Sequence, residues 1–396
     1  MGELQLLSKI TVGDLELSNR LALAPLTRAR GTPTDDPFDP ACRIPNDIQA
    51  EYYEQRASAG LVITEATAVS EEGYGWRNAP QICTAEQVEG WKKVVDRVHA
   101  KGGKIFLQLW HLGRQAHSTF HPTTNRIVSA SNIRMTGKVK TLDMDDTEPE
   151  VPHALTTEEI KMTILDFVEA AKRCKEAGFD GVEVHGANGY LVDQFLQSCS
   201  NVRTDEYGGS MENRIRFLKE IVEGIIASGA YPANRIGFRI SPNGGFGGMG
   251  SEDNVEMFSY VAKEMNKYNL AYMHVMDGLG FGYHGKTKPV TCAQLRKYYD
   301  GIIMCNVGLT KEVAEGMIRS GAADMACFGR LYMSNPDLPE RFANNWPLAE
   351  SAAYDTWWGH TGAKGYTDFP TYGQEQAGKD TAEGSELAAA QTESAQ

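Results

Sequence analysis

Short runs of branched apolar residues alternate along the chain with longer stretches whose apolar positions recur at helical spacing. Eight such runs are readable, at 21–26, 61–67, 104–110, 181–185, 236–240, 271–276, 302–307 and 324–328. The clearest stretch between them spans 156–178, where Ile160, Ile164, Phe167, Val168 and Ala171 fall on one helical face. Thr156 and Glu159 stand in capping-box spacing at its start, as Thr84 and Gln87 do before the third run. Gly60, Gly102, Gly178, Gly229 and Gly321 occupy places where a left-handed residue would end a helix.

Eight strand-then-helix units predict parallel strands. With no shift in composition to mark a second domain, they favour a closed (β/α)8 TIM barrel over an open doubly wound sheet. The barrel is expected to occupy 1–373 as one domain. Two stretches exceed a minimal barrel: 31–45, rich in Pro and Asp, and 114–152, which contains the acidic run DMDDTEPE. Both read as long mouth loops, a common source of lids. Residues 374–396 contain no aromatic residue, Val or Ile and are expected to be disordered.

Composition narrows the function classes. The 396 residues, 41% hydrophobic and 23% charged, suit a globular protein with a large core. A formal net charge of −13 without any basic run argues against coating nucleic-acid phosphates or an anionic membrane. No segment is apolar and long enough for a signal peptide or a membrane span, so a cytoplasmic monomer or homodimer is expected. The seven Cys (42, 83, 174, 199, 292, 305 and 327) form no C-x-x-C, and neither H-E-x-x-H nor a tight His/Asp/Glu cluster occurs, so no metal site is expected. Forty Gly point to many tight element ends, or to close backbone approach to a flat or anionic ligand.

Some motifs compete. Gly280 to Thr287, GFGYHGKT, fits the phosphate loop of NTPases and follows a strand run. A true phosphate loop needs its Lys-Thr pair to open a helix, whereas Pro289 disfavours helical geometry at Lys288 and moves any helix start to near Thr291. The G-x-G-x-x-G match at Gly245, Gly247, Gly250 is separated from its strand by Ser241, Pro242 and Asn243, and in the match at Gly280, Gly282, Gly285 Pro289 interrupts the turn into a helix. Neither supports a dinucleotide fold.

In a barrel of this kind, polar residues at the C-terminal ends of strands face one mouth. The fourth run delivers VEVHGANGYLVDQFL, placing His185, Asn188 and Tyr190 within reach of a common pocket. His and Asn offer N–H donors for a carbonyl oxygen that gains charge, and a Tyr hydroxyl can give a proton, a set suited to enolate chemistry. The same spacing also suits a hydrogen-bonded structural His and a half-buried Tyr. Other strand ends supply Pro25, Leu26, Thr27, Gln108, Arg239, Gly308, Gly329 and Arg330. Glycines after the seventh and eighth strands suit a phosphate, with Arg330 adding charge. Arg239 and Gln108 suit a ring that becomes electron-rich.

At these residues the chain resembles the old yellow enzyme family of FMN-dependent ene-reductases, including its oxophytodienoate-reductase branch. The likeness runs from about Leu6 to Tyr372, through APLTR, EYYEQRASAGLVITEAT, GGKIFLQLWHLGR, DGVEVHGANGYLVDQFLQSCSNVRTDEYGGSMENRIRF, GFRISP, FGRLYMSNPDL and GYTDFPTY.

The resemblance implies a TIM barrel. It implies non-covalent FMN held by Pro25, Leu26, Thr27, Ala59, Gln108, Arg239, Gly308, Gly329 and Arg330, with Thr27 at the flavin edge. It implies that NADPH, in preference to NADH, reduces FMN and leaves before an α,β-unsaturated carbonyl compound accepts hydride from the flavin N5. His185 and Asn188 would bind the carbonyl, Tyr190 would donate the proton, and Trp110 and Trp358 would border the substrate. The chain departs from the family pattern at Val307, where a second Gly is common, at Asp277-Gly278-Leu279, where many relatives place an Arg, and at Trp357-Trp358, where Phe-Tyr is usual. The Trp357-Trp358 pair is expected to narrow or reshape the pocket rim; barrel packing is the alternative for Trp110, Trp357 and Trp358, though two adjacent indoles cannot both face one core. A non-catalytic flavin or phosphometabolite binder and a phosphate-loop NTPase are the rival readings. The cluster-containing dienoyl-CoA reductases share the barrel but need closely spaced cysteines that this chain lacks.

Overall fold

The computed structural model describes residues 4–378 except 33, 37, 280, 281, 360 and 361. Each of the eight runs contains a strand: β1 Leu21–Leu23, β2 Leu61–Ile63, β3 Ile105–Trp110, β4 Gly181–Gly186, β5 Ile236–Ile240, β6 Tyr272–Met276, β7 Ile303–Asn306 and β8 Met325–Phe328. Every neighbouring pair is parallel. The sheet closes where β8 meets β1 (Ala326 against Leu21) and where β3 meets β4 (Phe106 against Gly181). The second run is not continuous: it breaks after Ile63 and resumes as Thr67–Ala68, paired with Leu109 and Trp110.

The helices are α1 Asp47–Gln55, α2 Ala85–Ala100, α3 Thr157–Glu176, α4 Leu191–Leu196, α5 Met211–Ala227, α6 Asn254–Met265, α7 Cys292–Leu295, α8 Lys311–Arg319, α9 Arg330–Ser334 and α10 Leu338–Asn344. Both expected capping boxes form, Thr84 with Gln87 and Thr156 with Glu159. The apolar face of α3 is buried at all five expected positions. Gly102, Gly178, Gly229 and Gly321 adopt positive φ as expected of helix ends, and Gly60 does not. Gly60 is required for space instead, because a Cβ there would lie 2.1 Å from the Asn19 carbonyl oxygen.

Strand alternation divides the side chains. On β3 to β8, Leu107, Val184, Phe238, Val275, Cys305 and Phe328 face outward into the large core beneath the helices. Phe106, Tyr272, Met304 and Met325 face inward and pack with Val12, Leu15 and Leu17 of an N-terminal hairpin, Ile10–Val12 with Leu15–Leu17. That hairpin seals the bottom of the barrel, leaving the C-terminal ends of the strands as its mouth.

The 114–152 excursion is ordered. Val128–Ser129 pairs in parallel with His153–Ala154, and Val139–Lys140 forms a hairpin with Asp146–Thr147. Within its acidic run, Asp146 pairs with Lys140 at 2.9 Å and Glu148 with Lys138. The expectation of disorder from 374 does not hold for 374–378, since 372–378 is helical and Glu375 pairs with Arg341 at 2.6 Å. Residues 379–396 lie outside the described residues. Among the described residues no helix is long and apolar enough to cross a membrane.

Candidate active site

A cavity of about 630 Å³ opens at the mouth. It is lined by Pro25, Leu26 and Thr27 after β1, Gln108 of β3, His185, Asn188 and Tyr190 from β4 and its loop, Arg239 of β5, Gly308 after β7, and Gly329 and Arg330 after β8. Trp357 and Trp358 both line it. The turn Tyr354–Thr356 sets their rings at 67° with centroids 5.7 Å apart, so one indole is half-buried and its neighbour forms the outer rim.

Two expected residues lie elsewhere. Ala59 is buried before β2, at the end of the barrel opposite the mouth, and does not line the cavity. Ala66, beyond the C-terminal end of β2, stands in the lining in its place. Trp110 also stays outside the lining, but its ring meets Tyr190 edge-on at 5.1 Å.

His185 is buried, and its Nδ1 accepts a bond from the Ala187 N–H at 3.3 Å, which leaves the proton on Nε2. Burial, reinforced by the Arg239 guanidinium and by nearby His274, pushes its pKa well below the ordinary range, so the ring is a neutral donor. Asn188 holds a left-handed conformation with φ +60°, its N–H donating to Ser241 Oγ at 2.7 Å. Tyr190 packs edge-on between Trp110 and His185, 4.9 Å from the imidazole centroid. Burial raises its pKa to about 12 against the opposing pull of Arg239, keeping the phenol protonated.

The floor carries a polar layer that strand-end reasoning missed. Glu183 of β4 accepts from Gln108 Nε2 at 2.7 Å and faces His274 Nδ1 at 2.9 Å. Burial opposes its charge, but His274, Arg239 and Gln108 together hold its carboxyl below the usual range. Asn306 and Cys327 complete this layer at the cavity wall. An ionisable residue inside an otherwise apolar strand was the available signal for Glu183 and His274.

Arg239 tests the fit of FMN. The residue is 5% exposed, and among the described residues its Nε is buried without a partner and no group accepts a bond from the guanidinium. Such a cation requires an anionic or electron-rich ligand. Asn306 Nδ2 is likewise buried and unpaired. Gly308, at φ +71°, leaves open space where a Cβ would stand, and a Cβ on Gly329 would press on Leu26 at 3.3 Å. The donors, the cation and the bare backbone fit a phosphorylated flavin.

The phosphate-loop rival fails on geometry. Lys286 Nζ donates to the Gly250 carbonyl at 2.6 Å, and α7 begins after Thr291, so the Lys-Thr pair opens no helix. Gly280 itself lies outside the described residues. Asp277 turns away from the mouth to accept the Cys292 N–H at 3.1 Å.

Residues 5–349 match the NADH:flavin oxidoreductase / NADH oxidase family. The chain belongs to this family. It is 39% identical over 370 residues to 12-oxophytodienoate reductase 1 of Oryza sativa subsp. japonica, covering 92% of each chain. Among solved structures, the old yellow enzyme homologue from Zymomonas mobilis superposes with a TM-score of 0.85 at 40% identity, over 92% of this chain and 99% of that one. Morphinone reductase gives 0.84 at 37% identity, over 92% and 96%. The protein is thus a flavin oxidoreductase of the old yellow enzyme type, with FMN its expected cofactor.

Proposed function

We propose that this flavin oxidoreductase reduces the carbon–carbon double bond of α,β-unsaturated carbonyl compounds, with NADPH as reductant in preference to NADH. The carrying observation is that His185, Asn188 and Tyr190 border one cavity above the unpartnered Arg239. Pro25, Leu26, Thr27, Gln108, Arg239, Gly308, Gly329 and Arg330, joined by Ala66, hold the cofactor. When bound, FMN supplies the hydride, taken from the nicotinamide and passed to the β-carbon.

The chain's own residues manage the charge and the proton. As the carbonyl oxygen becomes negative, His185 Nε2–H and the Asn188 amide donate to it, each worth on the order of 3 kcal/mol in comparable oxyanion sites. The imidazole starts neutral, so it polarises the carbonyl without first losing a proton. Tyr190 gives its hydroxyl proton to the α-carbon. Trp110 braces the phenol from behind, and Trp358 borders the substrate at the rim.

The deciding experiment follows the visible spectrum anaerobically through NADPH or NADH addition and then cyclohexenone. Bleaching followed by recovery is expected, with faster bleaching by NADPH. A protein that takes up no flavin refutes the reading, and one that bleaches but never recovers with any enone is a binder or a different reductase.

A further inference from the structure

The turn 187–190 carries both Asn188 and Tyr190, and it contains two successive left-handed residues, Asn188 at φ +60° and Gly189 at φ +76°. Positive φ at both central residues is the signature of a type I′ turn, here closed by Tyr190 N–H to Ala187 O at 3.2 Å. The two central N–H groups take acceptors elsewhere in the chain. Gly189 N–H donates to Asp193 Oδ2 at 2.8 Å, and Asn188 N–H donates to Ser241 Oγ at 2.7 Å. Gln197 Nε2 donates in turn to the Asp193 carboxylate at 2.8 Å, and the Ser241 hydroxyl lies close enough to favour its charge. Asp193 is fully buried, on the first turn of α4.

The remaining ties on the turn do not titrate. Asn188 O accepts from Gln115 Nε2 at 2.5 Å, Gly189 O from Gln194 Nε2 at 2.7 Å, and Tyr190 N–H donates to Ala187 O at 3.2 Å. Asp193 therefore supplies the ionisable end of a network otherwise built from amides and a hydroxyl. We propose that Asp193 is a positioning residue whose carboxylate anchors this turn and thereby holds Asn188 and Tyr190 in the geometry the enone reaction needs. The inference rests on the proposed function for its catalytic consequence and on hydrogen bonds alone for the anchor.

A carboxylate is needed because every neighbour donates to it; a carboxylic acid would present one donor of its own and lose an acceptor. The groups facing it are Gly189 N–H from the turn, Gln197 beyond α4, Ser241 after β5, and the Arg114 guanidinium from the loop after β3. Burial raises its pKa to about 7 against the pull of these donors. The anchor is accordingly intact above that pH and loosens as pH falls through it.

The test compares FMN-loaded wild type with Asp193→Ala and Asp193→Asn. In Asp193→Ala, amide exchange across 187–190 is expected to accelerate about tenfold or more. At alkaline pH, enone-dependent flavin reoxidation should slow roughly 10- to 100-fold in the Asn variant, the usual cost of a small misplacement. The fall in wild-type rate below about pH 7 should vanish in Asp193→Asn. In a Tyr190→Phe background the Asn substitution should cost much less, since the two act through one group. A merely structural role predicts additive losses and an unchanged pH profile, and either result overturns the proposal. If the Ala variant does not fold, exchange in the Asn variant is read in its place, and unaltered exchange overturns the anchor. A wild type that binds FMN and NADPH but is never reoxidised by an enone overturns the proposed function instead.

Discussion

Among the described residues the Tyr190 hydroxyl has no hydrogen-bond partner; Trp110 and His185 enclose its ring and leave the hydroxyl to the cavity. Tyr190→Phe should therefore spare flavin bleaching by NADPH while slowing reoxidation by cyclohexenone by roughly 10² to 10⁴, the usual weight of a general acid. Because burial lifts this phenol to about 12, it loses its proton only above that pH. The reoxidation rate should stay flat from about pH 8.5 to about pH 10, and a decline there would show an acid of ordinary pKa. Val307 makes a second residue-scale case. It is β-branched, borders the cavity and stands at φ +83°, a conformation costing on the order of 1–3 kcal/mol. Val307→Gly should relieve that strain and, after the entropy lost by Gly, stabilise the protein by about 1 kcal/mol in urea unfolding. His185, Asn188 and Tyr190 were legible because they follow directly from a strand end. Asp193 and Glu183 were not, since their role depends on partners brought in from several separate segments.

Among the elements, the strands were the most legible, because period-two burial against helices on one side and a filled barrel on the other leaves continuous apolar runs. Their ends were less so. The second run gave no sign of its break at Thr64 to Ala66, which is set by tertiary bonds such as Gln108 N–H to Thr64 Oγ1 at 3.2 Å. Ala59, which the family resemblance alone suggested, precedes the strand at the end opposite the mouth, whereas Ala66 lies in the break at the mouth. Gly237 of β5 shows how tightly the strands are fitted: a Cβ there would sit 2.4 Å from the Tyr272 ring. Gly237→Ala should cost about 1–3 kcal/mol by overpacking, read as a lower midpoint in thermal or urea unfolding. Since Arg239 lies two residues along the same strand, FMN affinity should weaken with it.

At the scale of the molecule, one cavity draws its walls from residue 24 to residue 358. Its emptying should be felt throughout. Stripping FMN is expected to lower the melting temperature, and restoring it at a hundredfold excess over Kd should return about 2.7 kcal/mol of stability. No change in midpoint on adding FMN would mean that the cavity does not bind it. The closed barrel could be read from eight repeating units, but the ordered course of 114–152 could not, because its short strands pair across the chain with 153–154 and with each other.

Arg28, the residue after the cavity-lining Thr27, reaches across the mouth to the carbonyls of Trp357 and Gly365 at 2.8 and 2.7 Å, while Arg30 grips Thr356 at 2.5 Å. The first and last parts of the polypeptide thus share one wall of the pocket. During synthesis, a nascent chain halted before this last segment would lack both the strap and its tryptophans, however well its early strands had formed. The pocket is thereby completed only once residues 356–365 have been made.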